Sequence, residues 1–89
     1  MNRRTYYFSG HVQGVGFRYT ARHAANGRQV TGYVRNLDDG RVELVMEGVD
    51  AEMDAVLDGI QAELGHNISR STLDTGPATG EFTSFGIRH

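Results

Sequence analysis

TYYFSGHVQGVGFRYTARHAANGR, running from Thr5 to Arg28, changes its hydrophobic period twice, and the two changes divide it into a strand, a loop and a helix. From Thr5 to Val12 the residues alternate, with Tyr6, Phe8, Gly10 and Val12 on one parity and Tyr7, Ser9 and His11 on the other, as a half-buried strand requires. Gln13-Gly14-Val15-Gly16-Phe17 is too glycine-rich for a helix interior. In the helix that follows, Arg18 to Arg28, the apolar positions Phe17, Ala21, Ala24 and Ala25 recur at helical spacing.

Downstream, Val30, Gly32 and Val34 share one face of a second strand that ends at Asn36, and Leu37-Asp38-Asp39-Gly40 carries hairpin-turn chemistry. A third strand covers Arg41 to Glu47, with Val42, Leu44 and Met46 on the inner parity and Arg41, Glu43 and Glu47 on the outer one. Asp50 is read as the N-cap of a second helix whose apolar stripe is Met53, Val56, Leu57, Ile60 and Leu64, with Gly65 ending it. Ile68 to Thr75 reads as an edge strand, expected to be short because Gly65 to Ser71 is polar, and Phe82 to Arg88 as a last strand.

The order β-α-β-β-α-β plus a short C-terminal strand predicts an α+β, ferredoxin-like sandwich: a mostly antiparallel sheet with two helices on one face, forming one domain over residues 1–89. In that topology the first and second strands are parallel with the third between them. The loop after the first strand and the end of the second then open at the same edge, two strand spacings or roughly 10 Å apart.

Composition narrows the chemistry. The 89 residues carry a net charge of −2, and all nine basic side chains are arginine. Without lysine there is no Schiff-base catalysis and no P-loop of the G-x-x-x-x-G-K-[ST] kind. With no cysteine, thiolate nucleophiles, disulfides and cysteine zinc sites are excluded too. The N-terminal MNRRTYYFSG has no apolar core of signal-peptide length, and no apolar run approaches the ~18 residues of a membrane span, so a cytoplasmic protein is expected. A pI near 6.0 argues against a nucleic-acid or acidic-membrane partner.

A glycine-rich turn entering a helix presents free N–H groups and the positive end of the helix dipole to an anion. Gly14 and Gly16 would let a ligand approach the backbone, and Arg18 would add a planar fork suited to phosphate. The same residues also fit a plain turn followed by a solvated arginine, and Asn36 alone fits a strand end bonded to its turn. Tyr19 stands where a dinucleotide fingerprint would need its third glycine. Asp38 and Asp39 read as turn residues, His11 as a strand-face residue and His23 as a solvent-facing one; His66 and His89 lack metal-ligand spacing, so no metal is assigned.

Gly10-His11-Val12-Gln13-Gly14-Val15-Gly16-Phe17-Arg18, then Gly32-Tyr33-Val34-Arg35-Asn36, then Gly40-Arg41-Val42 and Gly48, resembles both signatures of the acylphosphatases, and the likeness continues through Gly80 to Thr83 and Phe85 to Arg88. The resemblance implies a metal-free and cofactor-free hydrolase that splits an acyl phosphate into carboxylate and inorganic phosphate, with no covalent enzyme intermediate. It implies that Arg18 and the backbone N–H groups of Val12, Gln13, Gly14, Val15, Gly16, Phe17 and Arg18 bind the phosphate and that Asn36 holds the attacking water. A small-molecule substrate, a monomer and no membrane or nucleic-acid partner are the matching expectations.

The alternative is an acylphosphatase-like module that binds an anion or a partner without turnover, as in larger enzymes; with the chain ending at His89, no such enzyme is expected to be attached. An RNA-recognition domain would need exposed aromatics on the third strand, which has none. The chain departs from the family at Arg28-Gln29, where Leu-Gly is usual, and Gly27 precedes the expected helix end, so the last turn of the first helix is expected to fray or stop early.

Overall fold

In the computed structural model, which describes residues 1–89, the elements follow the order β1 (Asn2–Gly10), α1 (Phe17–Ala25), β2 (Thr31–Asn36), β3 (Val42–Gly48), α2 (Asp50–Leu64), a short 3-10 turn at Gly65–Asn67, β4 (Ile68–Pro77) and β5 (Phe85–Arg88). The five strands form one sheet in the order β4-β1-β3-β2-β5. The β1–β3, β1–β4 and β2–β3 pairs are antiparallel and β2–β5 is parallel. This is the expected ferredoxin-like α+β arrangement, with β1 and β2 parallel on either side of β3.

Alternation along the strands builds the core. Tyr6 and Phe8 of β1, Val34 of β2 and Val42, Leu44 and Met46 of β3 are buried in one cluster with Phe17, Ala21 and Ala25 of α1 and Met53, Val56 and Ile60 of α2. The two helices approach closely because Gly59 faces Ala24: a Cβ on Gly59 would lie 3.0 Å from the Ala24 Cβ. Gly32 is obligatory for a similar reason, since it holds φ 136° and an added Cβ would sit 1.9 Å from the Val45 main-chain oxygen.

Several boundaries and one face differ from the sequence expectation. Val12 lies beyond β1, Asp50 is the first helical residue while Val49 occupies the cap without a side-chain bond, and the last strand begins only at Phe85. α1 stops at Ala25, as its departures foretold, and Gly27 takes φ 79° just after it.

β4 is not short. It runs ten residues and pairs with β1 from Asn2↔Pro77 to Gly10↔Ile68. Its polar side chains face solvent, and the main-chain ladder that holds it is indifferent to them.

Glu43 and Glu47, expected on the outer face, are buried at 6% and 4% exposure. The outer face of β3 is roofed by neighbouring side chains and by the 78–84 segment. Glu47 accepts from the Thr79 and Gly80 N–H groups at 2.9 and 3.0 Å and from Arg3 Nε at 2.7 Å. Glu43 accepts from Arg35 Nε at 2.7 Å and the Tyr7 hydroxyl at 3.0 Å. Both carboxylates are held below the usual range: burial pushes each upward, and the hydrogen bonds that reach them outweigh it.

Candidate functional site

The loop between β1 and α1 is pinned at both ends and open in the middle. Gly10 carries φ 120° where the chain passes the 3-10 turn, a Cβ there would lie 2.5 Å from the Asn67 oxygen, and the next N–H, of His11, donates to that oxygen at 2.9 Å. Val12 is fully buried and Phe17 is buried with its ring 5.1 Å from that of Phe8. Between these anchors Gly14 and Gly16 adopt φ 76° and 79°, and nothing lies within 4 Å of where a Cβ would stand on either. None of the main-chain N–H groups from Val12 to Gly16 donates to another main-chain oxygen. Gly16 is also the cap of α1 and offers no side chain to the first turn.

The loop therefore offers unpaired donors at a helix start, the geometry an anion fits. Val12 and Phe17 can contribute only backbone to it, because their side chains belong to the core.

Arg18 is the second residue of α1, half-buried, and its Nη1 lies 3.1 Å from Nδ1 of His89. The contact follows from topology. β5 runs parallel to β2, so the residue after Arg88 reaches the same end of the sheet as Asn36. No carboxylate pairs with Arg18 among the ion pairs of the molecule.

Asn36 closes β2 opposite Val42. The turn beyond it is held by Leu37 N–H to Arg41 O at 2.8 Å and Gly40 N–H to Leu37 O at 3.2 Å. Asp39 accepts from the Arg41 N–H at 3.1 Å and from Arg41 Nε at 2.8 Å, bonds that lower its carboxyl below the ordinary value, so Asp39 serves the turn.

Gln13 joins the two halves. Its side-chain amide donates to Leu37 O at 2.8 Å and to Arg41 O at 3.0 Å, bridging the glycine loop to the hairpin that carries Asn36. A glutamine in a loop has no period or spacing that could announce this use. The exposed His11 and His23 have no side-chain hydrogen bond with Arg18 or Asn36; the histidine that meets Arg18 is His89, which the sequence had left without a role.

A second feature lies along α1, from Tyr19 toward the sheet end where β2 and β5 begin, and shares no lining residue with the glycine loop or Asn36. The solvent side of α1 and the 78–85 segment enclose a groove of about 960 Å³ lined by Tyr19, Arg22, His23, Arg28, Phe82 and Phe85, among others. Its only forewarning in the sequence is that FRYTARHAA, all of α1, contains no acidic residue.

Comparison with known proteins bears on the family and the fold. A family model described as acylphosphatase matches residues 4–87. An acylphosphatase of Acaryochloris marina is 40% identical over 89% of this chain and 85% of its own length. One from Haloarcula marismortui is 54% identical over 58% of this chain, an alignment that spans 57% of that relative. The crystal structure of an acylphosphatase from Bacillus subtilis superposes with a TM-score of 0.89 at 28% identity, covering 100% of both chains.

Proposed function

The chain belongs to the acylphosphatase family, and from that premise we propose that it hydrolyses acyl phosphates to carboxylate and inorganic phosphate, using Arg18 and the Val12–Arg18 loop to bind phosphate and Asn36 to hold the attacking water. The observation that carries this reading is the Gln13 bridge, which ties the phosphate loop to the hairpin following Asn36.

In the proposed reaction the phosphoryl group lies against the free N–H groups of Val12, Gln13, Gly14, Val15, Gly16, Phe17 and Arg18, with the Arg18 guanidinium on its equatorial oxygens. Phosphoryl transfer asks mainly for positioning and charge stabilisation, and both are supplied by groups already in place. The Asn36 amide oxygen accepts a hydrogen bond from water and directs it in line with the scissile bond. An amide cannot take up the proton at neutral pH. As the water oxygen bonds to phosphorus, the bond from phosphorus to the acyl oxygen breaks, the carboxylate departs with the electron pair, and the water proton passes to a phosphate oxygen.

The proposal includes no metal and no cofactor, and it has the protein acting as a single monomeric unit in the cytoplasm on a small-molecule acyl phosphate, without nucleic acid or membrane. No helix is long and apolar enough to cross a membrane. The test is hydrolysis of acetyl phosphate in the presence of a chelator, beside a phosphate monoester. Turnover of the acyl phosphate alone supports the reading, and no turnover above the spontaneous rate favours binding without catalysis.

A further inference from the structure

We propose that Arg22 selects acyl phosphates whose acyl group carries a second anionic group, which it receives in the groove beside α1; the inference rests on the hydrolase reading above.

Three observations converge on Arg22. First, it lies four residues after Arg18 on α1, so the two guanidinium stems project from neighbouring turns, with Cβ atoms roughly 5–6 Å apart. Second, Arg3, Arg4, Arg28, Arg35 and Arg41 are each paired with a carboxylate, whereas Arg18, Arg22, Arg70 and Arg88 are not, and of these four Arg18 and Arg22 share α1. No acid on α1 itself could neutralise them.

Third, Arg22 lines the groove, and its guanidinium is set over the Tyr19 ring, with the carbon 5.3 Å from the ring centre. Stacking on an aromatic face limits the wandering of a long side chain while leaving its N–H edges free for a carboxylate or phosphate. Glu47, the acid on the groove wall, is committed elsewhere: one oxygen takes Arg3 and Thr79, the other the Gly80 N–H.

Chemistry then sets the ligand class. In the proposed complex the phosphoryl group sits at the glycine loop and the acyl chain runs along the exposed side of α1 toward Arg22. An acyl chain of about four carbons ending in a carboxylate spans the rise of about 6 Å, four residues at about 1.5 Å each, that separates Arg18 from Arg22. An uncharged chain of the same length reaches the same place and finds an unpaired guanidinium with nothing to bond.

The test compares succinyl phosphate with butyryl phosphate, equal in length and different in terminal charge, in the wild type and in R22K, R22Q and R22E. The expected result is a wild-type preference in kcat/KM for succinyl phosphate of about five- to tenfold at low salt, shrinking as salt is added. That preference is retained in part by R22K, lost in R22Q and reversed in R22E, chiefly through KM. A succinyl-to-butyryl ratio that is equal in wild type and R22Q overturns the proposal while leaving the hydrolase standing. Failure of the wild type to turn over either compound overturns the hydrolase reading itself.

Discussion

The amide nitrogen of Gln13 lies 2.8 Å from the main-chain oxygen of Leu37, the residue immediately after Asn36. The same nitrogen reaches Arg41 O at 3.0 Å, so one side chain spans both ends of the turn. Replacing Gln13 with Leu keeps the volume and removes both bonds. Stability should fall by only about 1–2 kcal/mol, because Leu37 O and Arg41 O keep their main-chain donors. Acyl phosphate turnover should fall by more than that loss explains, since a displacement of about 1 Å can cost on the order of 100-fold in rate. Urea unfolding and kcat/KM on the same variant separate the two effects.

Arg18→Ala should weaken inhibition by inorganic phosphate and suppress turnover together, because one group both anchors the ground state and stabilises the transferred charge. The expected loss is about 3 kcal/mol or more in the activation barrier. Arg18→Lys should recover little of it, having a point charge in place of a fork. A near-normal rate in Arg18→Ala would remove this residue from the mechanism.

For Asn36→Ala the two quantities should part company. The phosphate keeps its loop and its arginine while the water loses its guide, so kcat should drop far more than phosphate inhibition weakens. The check is a pair of inhibition and turnover curves measured on one preparation. Lost inhibition with a preserved rate would make Asn36 a binding residue.

Glu47 gives a pH signature unrelated to catalysis. Burial pushes its carboxyl upward, but the Thr79 N–H, Arg3, the Gly80 N–H and the Thr79 hydroxyl outweigh this and bring it from 4.5 down to about 2. A carboxyl lowered in the folded state stabilises above its unfolded value and loses that contribution as acid is added down to the folded value. The urea midpoint of the wild type should therefore fall between about pH 4.5 and pH 2, and Glu47→Gln should show a shallower fall from a starting stability lower by about 2 kcal/mol. Equal slopes in the two proteins would refute the assignment.

The strand, loop and helix of Thr5 to Arg28 were legible because each obeys a local rule: side chains alternate along a pleat, recur every 3.6 residues along a helix, and yield to glycine where φ must be positive. Asn36 and Arg18 stand out as candidates for a different reason, their place in motifs. The register by which β3 separates β1 from β2 then followed from the order of elements alone. The polar run from Gly65 to Ser71 misled the reading of β4, since solvent-facing polarity says little about a main chain that β1 holds on one side.

What the amino-acid order determined by itself is the set of elements, their sequence and the chemistry available to them, all of which depend on near neighbours in the chain. What only the tertiary structure decided is which distant groups meet. Gln13 is 24 positions from Leu37, Arg18 is 71 from His89, and Glu47 is 32 from Thr79. No periodicity spans such separations. The parallel pairing of β5 with β2 carries His89 to Arg18, and the 78–84 segment turns an expected solvent face of β3 into a buried one. Burial and hydrogen-bond partnership belong to the closed sheet, and the same Glu that looks like a surface residue in the chain becomes, once that sheet closes, a carboxylate bound by main-chain N–H groups and an arginine.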